Sequence, residues 1–139
     1  MAVIVKIRAG LIDEMIAHAL EDAPVECCGI LAAKDGAVIS TYRAKNHEAS
    51  PYRFSIEARE QLRISREMDD EGTDQAGFYH SHTGSEARPS PTDIRMMGPL
   101  FGPPFVHFVI GVADRDKPVA RVFLIEDGAA TEHEFETVP

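Results

Sequence analysis

Seven short strand-like segments, three of their six links only four to six residues long, set the strongest limit on how this chain can fold. They fall at 2–7, 27–33, 38–44, 75–82, 105–112, 119–125 and 130–138. Short links join antiparallel neighbours, because a parallel crossover needs a dozen residues or more. Three segments interrupt the series with helical spacing. At 9–21, Leu11, Ile12, Met15, Ile16, Ala19 and Leu20 form one apolar stripe. Asp13 and Glu14 lie where a helix start favours acid, and Pro24 ends the segment. Ser55 is placed to cap a polar helix over 56–70, closed near Gly72. A short helix begins after Ser90 and stops near Gly98-Pro99. Asp35-Gly36 between apolar runs predicts a hairpin turn. The order β-α-β-β-α-β-α-β-β-β predicts an α/β fold: a curved, mixed, largely antiparallel sheet flanked by two main helices and a short third.

At 139 residues the chain suits one domain over its whole length. A net charge of −9 repels a phosphate backbone and argues against nucleic acid as partner. No stretch approaches the roughly 20 apolar residues of a membrane span. The start of the chain lacks the features of a signal peptide, so a cytoplasmic protein without membrane contact is expected. Cys27 and Cys28 are adjacent. Neighbours in a strand point to opposite faces, so the two are expected as small buried residues and not as a disulfide.

The chemistry concentrates in Tyr79-His80-Ser81-His82 and the stretch that ends at Ser90-Pro91-Thr92-Asp93. Histidines two apart on a strand share a face, so their rings can converge on one ion. Asp93 offers a carboxylate after a loop able to fold back. Two imidazoles and a carboxylate suit a zinc ion with its fourth position open to water, the arrangement a catalytic zinc requires. Taken alone, a His-x-His is often a polar strand edge, and Ser90 to Asp93 is also a good helix-capping sequence. The other histidines read as structural. His107 alternates with Phe105 and Val109 inside a probable strand, His18 is expected on the polar side of the first helix, and His47 and His133 are expected to be exposed.

The conjunction is longer than either motif. His-Ser-His, seven residues, Ser, two residues, Asp resembles the motif of the JAMM/MPN+ metallopeptidase family. Glu26-Cys27-Cys28-Gly29 is similar to that family's glutamate-bearing entry into its second strand. Asn46 and Phe54-Ser55-Ile56 also match family positions. The resemblance implies an MPN fold, with His80, His82 and Asp93 as zinc ligands and Glu26 as the general base. It implies that Ser90 hydrogen-bonds the tetrahedral intermediate. It further implies a compact prokaryotic peptidase acting on a ubiquitin-fold or sulfur-carrier protein ending in Gly-Gly, one such activity releasing cysteine from the carrier. The tail could add as a strand to an exposed sheet edge, flanked by loops 45–54 and 83–89. Thr83 departs from the family's usual proline and puts the rigidity of the second loop in question. A non-catalytic MPN scaffold and a metal-dependent amidohydrolase of a small metabolite are the other classes the residues allow.

Overall fold

A computed structural model describes residues 4–51 and 54–139. Strand β1 (Ile4–Arg8) buries Val5 and Ile7 and exposes the residues between them. Residues 2–3, expected in this strand, and 52–53, expected in a loop, lie outside the described residues. Helix α1 (Leu11–Asp22) buries Leu11, Met15 and Ala19, the predicted stripe. Strands β2 (Cys28–Lys34) and β3 (Ala37–Ala44) form the expected hairpin. Asp35 and Gly36 both take positive φ at its turn, which matches the twist of the strands. Helix α2 (Ala58–Glu71) ends on Gly72 at φ 71, a left-handed residue suited to glycine. Its N-cap is Glu57 and not Ser55: the chain at 54–56 is held extended by a bridge between Asn46 and Ile56, which delays the helix. Then follow β4 (Asp74–His82), α3 (Pro91–Met97), β5 (Val106–Gly111), β6 (Val119–Glu126) and β7 (Ala129–Val138).

The strand order is β1-β3-β2-β4-β5-β6-β7, and β1 pairs with β7 as well as with β3, so the sheet closes on itself. Four pairings are antiparallel, β2 with β3 and β4, β6 with β5 and β7. Three are parallel, β1 with β3 and β7, and β4 with β5. The mixed, largely antiparallel expectation holds. Closure is thin on one side: β1 meets β3 only at Ile7 and Val38, so past Val38 the outer side of β3 has no ladder partner among the described residues.

The helices cover opposite faces. Leu11, Met15 and Ala19 of α1 pack with Leu31, Tyr79, Phe108 and Ile110. Ile64 and Met68 of α2 pack with Ile30, Ala32 and Phe78. Cys27 joins the first cluster and Cys28 the second, both as free thiols, as two adjacent residues of an extended chain must. Full burial of such a side chain is worth roughly 1.5–3 kcal/mol, so both sheet faces are anchored around β2 and β4, the strands that carry the site. Gly29 is required between them. A Cβ there would lie 2.1 Å from Tyr79 Cε1, inside a ring that packing holds in place.

His18 corrects the sequence reading. It is buried, with Nδ1 2.7 Å from the Tyr79 hydroxyl and Nε2 3.1 Å from Asp22. Its position next to the apolar stripe turns the ring inward, and the phenol supplies a partner that sequence spacing does not reveal. Burial holds its pKa below the ordinary value, so the neutral ring is the packed form. His107 is buried as expected and bonds the Phe101 carbonyl at 2.9 Å. His47 is exposed, and His133 is partly covered.

Candidate metal centre

Register places the site. In the antiparallel β2/β4 pair, Cys28 lies opposite His80. Ser81 clamps the next step: its N–H donates to the Cys27 carbonyl at 3.1 Å, and its hydroxyl accepts from the Cys27 N–H at 2.8 Å. One residue further along, Glu26 comes level with His82, on the face that Cys28 and His80 share. Glu26, 54 residues ahead of His80 in sequence, thereby reaches the two rings.

Asp93 arrives from the other direction. Ser90 is the N-cap of α3, its side chain accepting from the Asp93 N–H at 3.0 Å, while Asp93 Oδ2 accepts from the Ser90 N–H at 2.8 Å. That oxygen also lies 3.0 Å from His80 Nε2 and 3.2 Å from His82 Nε2, and the two nitrogens are 3.2 Å apart. Capping and metal-ligand readings of Asp93 are therefore not alternatives: the cap is what aims the carboxylate. His80, His82, Asp93 and Glu26 are all buried, at 3%, 5%, 4% and 2% exposure.

The two rings are locked by contacts that the motif does not announce. His82 Nδ1 sits 2.7 Å from the Glu86 carbonyl, which fixes a proton on Nδ1 and turns Nε2 to the cluster, as a donor to Asp93 in the protonated ring and as a lone pair in the neutral one. Phe54 stacks on His80, with centroids 4.5 Å apart and planes at 24°. Thr83, the departure from the usual proline, donates its hydroxyl to the Pro24 carbonyl at 3.1 Å, so the loop leaving His82 is tied by a hydrogen bond instead of a ring.

The electrostatics fit a cation. Burial pushes the Asp93 carboxyl up, but hydrogen bonds from His80 and His82 outweigh it and hold the group far below the usual range. For His82, burial lowers the pKa and the bonds to Asp93 and Glu86 raise it, with a net rise. Without an ion, a proton shared among these groups would satisfy the cluster; an ion binding there would displace it. Glu26 is the exception. Burial raises its pKa to about 8, and its Oε1 has no hydrogen-bond partner. Ligand atoms of Glu26, His80 and His82 lie within 4.8 Å of one another, so they form a candidate metal-binding group. A buried carboxyl oxygen left without a partner is costly in a protein interior, and it fits a candidate site for an ion or its water.

The raised carboxyl has a testable sign. In folded metal-free protein Glu26 holds its proton up to about pH 8, whereas an unfolded glutamate releases it near its ordinary value of 4.5. Between those values the folded state binds the extra proton, so stability falls as pH rises and levels off above the upper one. Metal-stripped Glu26→Gln protein is therefore expected to gain in melting temperature over metal-stripped wild type as pH rises from 5 to 8, in a chelator-containing thermal melt series. A gap that stays constant or narrows contradicts this.

Two clefts meet at the cluster. One, of about 310 Å³, is lined by Glu26, Pro51, His82, Thr83, Gly84, Ser85 and Ser90. The other, of about 520 Å³, runs past His82, Arg88, Ser90 and Ile94. His80, His82, Asp93 and Glu26 thus form a buried candidate metal centre that opens into clefts on two sides.

The family follows from comparison with known proteins. Residues 8–125 match the family of prokaryotic homologues of the JAB domain. The chain belongs to this compact prokaryotic branch of the JAMM/MPN+ family and shares its MPN fold. It is similar to the CysO-cysteine peptidase of Mycobacterium tuberculosis, 37% identical over 139 aligned residues that span 95% of this chain and 90% of the relative. It is also similar to the desampylase of Haloferax volcanii, 35% identical over 88 residues, 58% of this chain and 63% of that one. Among solved structures, a solution structure of a protein from Desulfitobacterium hafniense superposes with a TM-score of 0.85 at 34% identity, covering 97% of this chain and 93% of the other. No helix among the described residues is long and apolar enough to cross a membrane.

Proposed function

We propose that this hydrolase is a zinc peptidase that cuts the bond following the Gly-Gly tail of a ubiquitin-fold or sulfur-carrier protein. The observation that carries the reading is the unpartnered, buried Glu26 Oε1 beside two imidazole nitrogens and a capped aspartate. His80, His82 and Asp93 would hold the zinc. That donor set suits a tetrahedral ion with one position open, which supplies a Lewis acid and brings a water's pKa to about 7.

The chain's own groups divide the remaining work. Glu26 takes the proton from the attacking water and returns one to the leaving amine. Its site near His82 lets one carboxylate do both, and its burial matches its basicity to neutral pH. Ser90 Oγ already accepts from the Asp93 N–H, so its own hydrogen is free to donate to the oxyanion that forms at the scissile carbonyl. The Glu86 carbonyl and the Phe54 ring keep both histidines oriented, so that little reorganises during reaction.

The substrate class draws on the relatives and on the clefts. A CysO-cysteine peptidase and a desampylase are similar to this chain. Walls formed by Pro51 on one side and Thr83 to Ser85 on the other leave a narrow approach to Glu26, which suits a tail of glycines with no side chain to place. Ubiquitin-fold proteins extended by one residue beyond Gly-Gly are expected to be cleaved at that bond, and variants with leucines in place of the glycines are not. Equal cleavage of the two sets, followed by mass spectrometry, would remove the proposal, and a purified protein without stoichiometric zinc would remove its metal.

A further inference from the structure

Glu26 lies outside any regular strand, yet both of its backbone hydrogen-bonding groups are held, and both by the same loop. Its N–H donates to the Ser50 carbonyl at 2.9 Å. Its carbonyl accepts from the Asn46 side chain, Nδ2, at 3.0 Å. Asn46 is itself buried, and its other side-chain atom, Oδ1, accepts from the Glu48 N–H at 3.0 Å and the Ser55 N–H at 3.1 Å. Two N–H donors on one atom require that atom to be the oxygen, so the amide nitrogen must face Glu26. A turn closes the loop, with the Ala49 N–H donating to the Asn46 carbonyl at 3.1 Å and Ala49 at φ 48, in the left-handed region that alanine disfavours. Two residues on, Pro51 lines the same cleft as Glu26.

We infer that the loop 46–51 is the mount of the catalytic glutamate as well as a wall of its cleft, and that Asn46 is a positioning residue that sets where the Glu26 carboxylate sits. The inference rests on the reading of Glu26 as general base, but its structural half stands apart from it. A carboxylate suspended from a cleft wall moves when the wall moves. Displacement of about 1 Å in such a group costs up to about 100-fold in rate.

The first readout needs neither metal nor substrate. In chelator-treated protein, amide hydrogen exchange followed by NMR is expected to show the Glu26 N–H protected. Asn46→Asp keeps the acceptor for Glu48 and Ser55 but loses the donor to Glu26. It is expected to speed exchange at Glu26 while Leu31 and Phe108 in the sheet keep wild-type rates. Ala49→Val, which strains the left-handed residue and alters neither the Glu26 nor the Asn46 side chain, is expected to do the same; Ala49→Gly is expected to leave the Glu26 amide as protected as in wild type. In the zinc enzyme, Asn46→Asp and Ala49→Val are expected to lower kcat about 10- to 100-fold with KM little changed and zinc retained. Fast exchange of Glu26 in the wild type overturns the inference. So does exchange that rises equally across the sheet in both variants, or a rise in KM with kcat unchanged. If Glu26→Gln itself keeps full activity, the reading of the base fails, and the exchange result still decides whether the loop holds residue 26.

Discussion

Glu26→Gln is expected to lower kcat by about 10²- to 10⁴-fold while the protein keeps a full complement of zinc. Glutamine fits the same buried volume, so the fold and the three proposed ligands are left intact. What disappears is the ability to accept and return a proton. The measurement pairs metal analysis with steady-state kinetics on a Gly-Gly fusion. Zinc retained with kcat lost assigns Glu26 to proton transfer. Zinc lost together with activity would make it a ligand, a role that its place within 4.8 Å of both histidine nitrogens leaves open to test. Wild-type kcat would leave the buried, unpartnered Oε1 without the proposed purpose. KM carries separate information: a base removed from an unchanged cleft changes kcat and leaves ground-state binding as it was.

How far this site could be read from the chain depends on how local each contact is. His80 and His82 were legible because a strand's period of two puts them on one face whatever the rest of the fold does. Asp93 was legible as a cap because a capping box is confined to four residues. Its candidacy as a ligand was read from a carboxylate able to fold back on the two histidines and from the family resemblance, since the capping box alone says nothing about what lies on the other side of the carboxylate. Glu26 reaches the cluster only through the β2/β4 register, a pairing across more than fifty residues, and its assignment came from family resemblance and not from spacing. The partners that lock the rings, Phe54 on His80 and the Glu86 carbonyl on His82, have no pattern of their own. A backbone carbonyl is the same at every position. The element order was readable from periodicity. The closure of the sheet was not, because β1 pairs with β3 and β7 at the two ends of the strand order, and no short-range signal marks either pairing. The start of α2 shifted from the expected cap at Ser55 to Glu57 for the same kind of reason: a bridge to Asn46 outweighs local capping preference.

Asp93→Ala is expected to abolish stoichiometric zinc and activity together. One oxygen, Oδ2, serves the Ser90 N–H at 2.8 Å, His80 Nε2 at 3.0 Å and His82 Nε2 at 3.2 Å, so alanine removes the proposed third ligand and one arm of the cap at once. Asp93→Asn separates the two. An asparagine oxygen still accepts from Ser90, whereas a neutral amide is a poor partner for a zinc ion that two neutral imidazoles would also hold. Both variants lose the buried pairing of the carboxylate with His80 and His82, and Ala also loses the cap, worth about 1 kcal/mol, so in metal-free buffer both are expected to melt below the wild type and Ala below Asn. Added zinc then discriminates. An ion that binds only the folded protein stabilises it by about 2.7 kcal/mol at a hundred times its dissociation constant, so the wild-type melting temperature is expected to climb with zinc. Neither Asp93 variant is expected to follow. Thermal melts across a zinc titration measure this directly. A climb in Asp93→Asn equal to that of the wild type would show that the carboxylate is only a cap and that the ion, if one binds, is held by other groups.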